Sequence, residues 1–122
     1  LAGTYHVPVA ERDQVRAGLA AQLVSMCFGV PVDDIRSRGR LDQKSGRARR
    51  LALYLAHVGY GWPIERVGHV FGVSRATVGE GCRWTEDART DPALDGLLDR
   101  LTDLVRDVCE SPRLDLDAGP AS

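Results

Sequence analysis

Seven basic side chains fall within the fifteen residues from Arg36 to Arg50: Arg36, Arg38, Arg40, Lys44, Arg47, Arg49 and Arg50. Interleaved with glycine and serine, they read as a cationic loop. A guanidinium there can grip phosphate oxygens or the edge of a guanine. Further along, Ser74, Arg75, Thr77 and Arg83 stand within ten residues of one another, just after Gly72. Hydroxyls and guanidinia at helical spacing beside a helix start are what a groove-reading helix needs, for phosphates and for base edges. Arg75 is the foremost base-reading candidate, with Ser74 and Thr77 suited to phosphates or bases and Arg83 on the same side one turn beyond Glu80. Glu80 is open to two readings: an acceptor for the cytosine amino group, or a residue outside the contact that disfavours phosphate.

The formal net charge of -1 argues against a polyanionic partner, but its distribution argues the other way. Residues 36–89 carry a net +6, flanked by -2 over residues 1–35 and -5 over residues 90–122. A basic middle between acidic ends is the asymmetry of a phosphate-facing surface.

Other chemistries find little support. Cys27, Cys82 and Cys109 are far apart, as are His6, His57 and His69, so neither a disulfide framework nor a metal site is expected. No Gly-rich phosphate loop, nucleophile elbow or paired-carboxylate arrangement is visible, which predicts a non-enzyme without cofactor or small-molecule substrate. No apolar stretch approaches the roughly 20 residues needed to span a bilayer. With no basic-then-apolar leader in view, the expectation is a cytoplasmic, nucleoid-associated protein.

The elements that must position these residues are all helical. Val15, Leu19, Leu23 and Met26 recur at helical spacing from Glu11, with Gly29 as the stop. A short turn over Val32 to Arg36 follows, then the cationic loop, then a helix from about Arg47 to Val58 with Leu51, Leu55 and Val58 on one face. Pro63 opens a helix over about 63–71, with Ile64, Val67 and Phe71 inward. Ser74 caps a helix over about 75–89, and Asp91-Pro92 opens the last, over about 92–109. Its stripe of Leu94, Leu97, Leu98, Leu101, Leu104, Val105 and Val108 is the clearest in the chain. The fold class is therefore all-α, a compact domain of about five to six helices over residues 11–110. A flexible arm is expected over residues 1–10, and an acidic, disordered tail over residues 111–122.

Ile64 to Arg83 has the spacing of a helix-turn-helix: Gly68 small where two helices touch, Gly72 able to take a positive φ, and Val67, Phe71, Val73 and Val78 facing a core. The second helix would enter the major groove of double-stranded DNA by its amino end.

The order of elements resembles the C-terminal DNA-binding domain of the bacterial replication initiator DnaA. The stretches that carry the resemblance are Val30-Pro-Val-Asp-Asp-Ile-Arg-Ser-Arg38, Arg47-Ala-Arg-Arg-Leu-Ala-Leu-Tyr-Leu-Ala56 and Ile64-Glu-Arg-Val-Gly-His-Val-Phe-Gly72, followed by Ala76-Thr-Val78 and Cys82-Arg83. The resemblance implies a stand-alone reading head, monomeric on DNA. Its basic loop (Arg38, Arg40, Arg47) would lie in the minor groove, with Thr77 on the recognition helix; Arg49, from the same cationic stretch, is read as a further contact to the backbone or minor groove. The family signature Gly-Arg-Asp-His-Thr-Thr-Val is replaced by Gly72-Val-Ser-Arg-Ala-Thr-Val78, so the residues tied to the DnaA box differ at Ser74, Arg75 and Ala76. Without an ATPase motor, a transcription or replication regulator is the expected role.

Two further features have alternatives. Asp91, Asp95, Asp99, Asp103 and Asp107 recur every four residues, as a solvated face or as a docking strip for a basic protein partner. The second of these would make the chain a protein-interaction module. Trp84 is expected in the core, and Trp62 partly exposed against a sugar-phosphate backbone.

Overall fold

The computed structural model describes residues 8–37, 39 and 41–117. Among them are six α-helices and no strand: α1 (Glu11–Phe28), α2 (Val32–Ile35), α3 (Gln43–Tyr54), α4 (Ile64–Phe71), α5 (Arg75–Ala88) and α6 (Pro92–Glu110). A π-helical turn, Leu55–Gly59, extends α3. The all-α expectation holds, and no helix of the described residues is long and apolar enough to cross a membrane.

The central element is α3, which packs against α1, α2 and α5. It starts earlier than expected, because Asp42 accepts a hydrogen bond from the Ser45 amide at 2.7 Å and caps the helix at Gln43. Ser45 and Gly46 look like loop residues, but the cap places them in the first turns. Lys44, Arg47, Arg49 and Arg50 are therefore helical, and the cationic loop shrinks to the segment between α2 and α3.

The face of α1 also differs from expectation. Ala17, Ala20, Ala21 and Val24 are buried, whereas Val15 and Met26 are 66% and 74% exposed. Small side chains let α1 approach α3 closely, so alanines carry the packing that the larger residues had suggested. Leu19 and Leu23 sit at the margin, against a second cluster of Ala20, Leu55, Leu101 and Val105 that seats α6 on the π-helical turn. On α6 the buried face is Leu98, Leu101, Thr102 and Val105, while Leu104 and Val108 are exposed.

Between α4 and α5 the chain turns in three residues. Gly72 has φ 72°, the left-handed conformation that ends α4, and its amide donates to the Gly68 carbonyl. The Val73 amide donates to the same carbonyl at 3.0 Å. A Cβ on Gly68 would stand 2.8 Å from the Val73 carbonyl oxygen, so the approach of turn to helix requires glycine there. Val67, Phe71 and Val78 are buried beneath, and Val73 packs against the same core.

Trp62 is buried rather than exposed, at 2%. Its indole is covered by Tyr60, 5.1 Å between ring centres, and by the Arg66 guanidinium, 4.7 Å above it. Arg66 also makes a bidentate pair with Asp13, at 2.7 and 3.0 Å, which ties the start of α1 to α4. That guanidinium holds the Asp13 carboxyl below its ordinary range, more strongly than burial raises it.

Candidate nucleic-acid interface

Helix α5 is capped by Ser74, whose hydroxyl accepts from the Thr77 amide at 3.1 Å and lies 2.9 Å from the Thr77 hydroxyl. These two hydroxyls form the cap, on the exposed amino end of the helix. Arg75 follows with a side chain 75% exposed, its guanidinium 3.2 Å from the Glu65 carboxylate on α4. A surface pair of this kind is worth at most about 1 kcal/mol, so Arg75 can leave it for a stronger acceptor.

The inward side of α5 is Val78, Gly81 and Thr85, and the Thr85 hydroxyl donates to the Gly81 carbonyl at 2.9 Å. Ala76, Glu80, Arg83 and Asp87 are exposed on the opposite side. Gly81 is where α3 crosses, since a Cβ on it would stand 3.4 Å from the Arg50 Cγ. From that crossing the Arg50 guanidinium reaches over the Trp84 ring, 5.3 Å from its centre. Trp84 is thus half-buried, packed on the core at one edge and covered by a cation at its face. Lys44 and Arg47 are exposed on the first turns of α3, beside this junction.

The basic residues around α3 divide by job. Arg36 is half-buried, 5.2 Å over the Phe71 ring, and donates to Gln14 Oε1 at 3.2 Å. Arg49 is half-buried and donates from Nη1 to the Ser37 carbonyl at 2.5 Å, which pins the segment between α2 and α3. Burial lowers the proton affinity of both guanidinia. Arg38 and Arg40 lie outside the described residues. The structure thus brings Ser74, Arg75 and Thr77 together at one end of α5, sets Arg83 two turns on, and puts Arg47 on the helix packed alongside. Lys44 and Arg50 on α3 and Ala76 and Gly79 on α5 extend the expected set, and Glu80, for which two readings were open, lies on the outward side of α5 with Ala76. The helical period of α5 was the signal for that side; the Asp42 cap was the signal for Lys44 and Arg50.

The carboxyl end of α5 is locked rather than free. Arg89, only 18% exposed, donates from Nε to Asp95 at 2.6 Å and from Nη2 to Asp99, and from Nη1 to the Tyr54 hydroxyl at 3.0 Å. Tyr54 in turn donates to Glu86. Burial raises the Tyr54 phenol, and the Glu86 carboxylate adds to that. Asp91 caps α6 by accepting from the Ala93 amide at 3.0 Å. Three of the five regularly spaced aspartates, Asp91, Asp95 and Asp99, are therefore structural.

No protein-family model matches the chain. No curated protein matches it in sequence. Its fold is similar to that of a solved DNA replication initiation factor, DnaA, with a TM-score of 0.67 at 20% sequence identity. The match covers 80% of this chain and 30% of that one, so this chain spans under a third of the initiation factor's length.

Proposed function

We propose that this chain binds double-stranded DNA in a sequence-dependent way and regulates transcription or replication without catalysing a reaction. The α4–α5 pair acts as a helix-turn-helix, with α5 in the major groove. Arg75, Thr77 and Arg83 face base edges, and the Ser74 end of α5 meets a phosphate. Lys44, Arg47 and Arg50 lie along the adjoining backbone, and Arg38 and Arg40 reach the minor groove from the connecting segment.

The observation that carries this reading is the exposed, capped amino end of α5 on a helix that packs against the cationic α3, in a fold shared with a DNA replication initiation factor. Cations at the amino end of α3 oppose its dipole. Their placement there adds nothing to helix stability and supports a surface that meets a polyanion. With Asp91, Asp95 and Asp99 engaged inside the fold, a basic protein docking along α6 has less support.

The test is selection from a random duplex pool, followed by binding at two salt concentrations. Arg47→Ala is expected to weaken all duplexes alike and to lower the salt slope by about 1. Arg75→Ala is expected to lose sequence preference. Failure of the wild-type chain to retain duplex DNA at low salt would sink the proposal.

A further inference from the structure

We infer that Glu80, working beside Arg83, makes α5 select a G·C pair, with the carboxylate accepting from the cytosine amino group in the major groove. This rests on the DNA reading above and names which bases that helix favours.

At about 100° per residue, Ala76, Gly79, Glu80 and Arg83 form the outward line opposite buried Val78, Gly81 and Thr85. Ala76 and Gly79 are small, so the α5 backbone can come close to a groove floor along this line. Glu80 and Arg83 are the long polar side chains left on it before the last turn. Arg83 folds back over Gly79: its Nη1 lies 3.5 Å from where a Cβ on that glycine would stand. The guanidinium is thereby brought toward the turn that carries Glu80. One acceptor and one donor fork thus sit on adjacent turns. In the major groove a G·C pair offers their complement, the cytosine N4 donor next to the guanine O6 and N7 acceptors.

The state of the carboxylates points the same way. Asp42 caps α3, Glu65 pairs with Arg75 and Glu86 accepts from Tyr54. Glu80 has no hydrogen-bond or ion-pair partner among the described residues; the Asp87 carboxylate has none either, but it lies in the last turn, whereas Glu80 sits in the middle of the outward line. Aimed at phosphates, that charge would only repel. Aimed at base edges, it finds an amino donor at cytosine and is left unmatched opposite guanine or thymine acceptors, which turns repulsion into selectivity.

The experiment compares the wild-type chain with Glu80→Ala and Glu80→Gln in duplex selection, with thermal melts confirming that these exposed substitutions leave the fold intact. The wild type is expected to enrich C at one position by roughly 5- to 150-fold over other bases. Glu80→Ala should flatten that position alone while binding non-cognate duplex as tightly or more tightly. Glu80→Gln should move the preference toward A, whose N6 and N7 a carboxamide can contact together. Unchanged base preferences in Glu80→Ala overturn the inference while leaving DNA binding intact. A wild type that binds no duplex overturns both.

Discussion

Gly68→Ala sets two effects of similar size against each other. Alanine is the better helix former, by about 1 kcal/mol in a helix interior. At Gly68 the added Cβ would meet the Val73 carbonyl oxygen at 2.8 Å, with Val78 Cγ2 at 3.6 Å and the Arg75 amide nitrogen at 3.7 Å. The carbonyl cannot swing aside cheaply, because the Val73 amide is bonded to Gly68 itself at 3.0 Å and the next residue, Ser74, caps α5. Overpacking against backbone costs roughly 1–3 kcal/mol, and here it adds the weakening of a turn hydrogen bond of about 1 kcal/mol. The sum outweighs the propensity gain and predicts a net loss of about 1–3 kcal/mol, or several degrees in Tm. Gly46→Ala is the matched control. It lies in α3 with nothing within 4 Å of the new Cβ, so the same substitution is expected to stabilise by about 0.5–1 kcal/mol. Urea unfolding of the two variants beside the wild type reads both signs in one experiment. If Gly68→Ala is as stable as the wild type, the tight turn does not require glycine and the geometry argued for α5 fails with it.

Arg89→Ala should cost about 2 kcal/mol, less than fully buried charge-assisted bonds would imply because both aspartates remain partly exposed. Arg89→Lys should recover only part of it, since one ammonium cannot serve Asp95, Asp99 and Tyr54 in a fixed fork; thermal melts check both. For pH, the Asp13 carboxyl is held below its ordinary value near 3.8, so its pairing with Arg66 contributes stability that is complete above that value. The contribution is lost as pH falls through the lowered folded-state value. Asp13→Asn should therefore reduce stability at neutral pH and flatten, without abolishing, the acid side of the stability profile. Asp42, also held low by its bond to the Ser45 amide, supplies a similar slope. Denaturant midpoints from pH 7 down to about pH 2 test this, and an acid limb unchanged in Asp13→Asn contradicts it.

Punctuation by residue type made the α4–α5 unit legible: Pro63 opens α4, Gly72 ends it and Ser74 caps α5, each for a local steric or hydrogen-bonding reason. The same local signals set the start of α6 at Asp91-Pro92. Errors arose where tertiary packing overrides the pattern of large apolar residues. In α1, alanine carries the contact because the helices approach closely, and Val15 and Met26 are left outside. Trp62 looked exposed from its neighbours, but Arg66 and Tyr60, which cover it, can be placed over it only once α4 is folded back. Around Arg36–Arg50, glycine and serine mask the cap at Asp42, so composition alone reads the first turns of α3 as a loop. The candidate interface was legible as a set of residue types; the side of α5 that faces outward, and with it the place of Glu80, needed the buried positions Val78, Gly81 and Thr85.

On the proposed reading, the charge order along α5 constrains how it would meet DNA. Its amino end presents unpaired amides and Arg75, its middle Glu80 and Arg83, and its last turns Glu86 and Asp87. Helix dipole and side chains therefore agree: the amino end attracts phosphate and the carboxyl end repels it. A helix lying flat along the groove would bring Asp87 against the backbone, whereas one entering by its amino end keeps that residue clear. Arg89 strengthens the same choice, because it bonds to Asp95 and Asp99 on α6 and so is not offered outward as a phosphate ligand at that end. Phosphate contacts must then come mainly from α3 and the segment before it. Salt dependence should accordingly respond to Arg47 more than to any residue on α5, and base preference to Glu80 and Arg83 more than to any residue on α3.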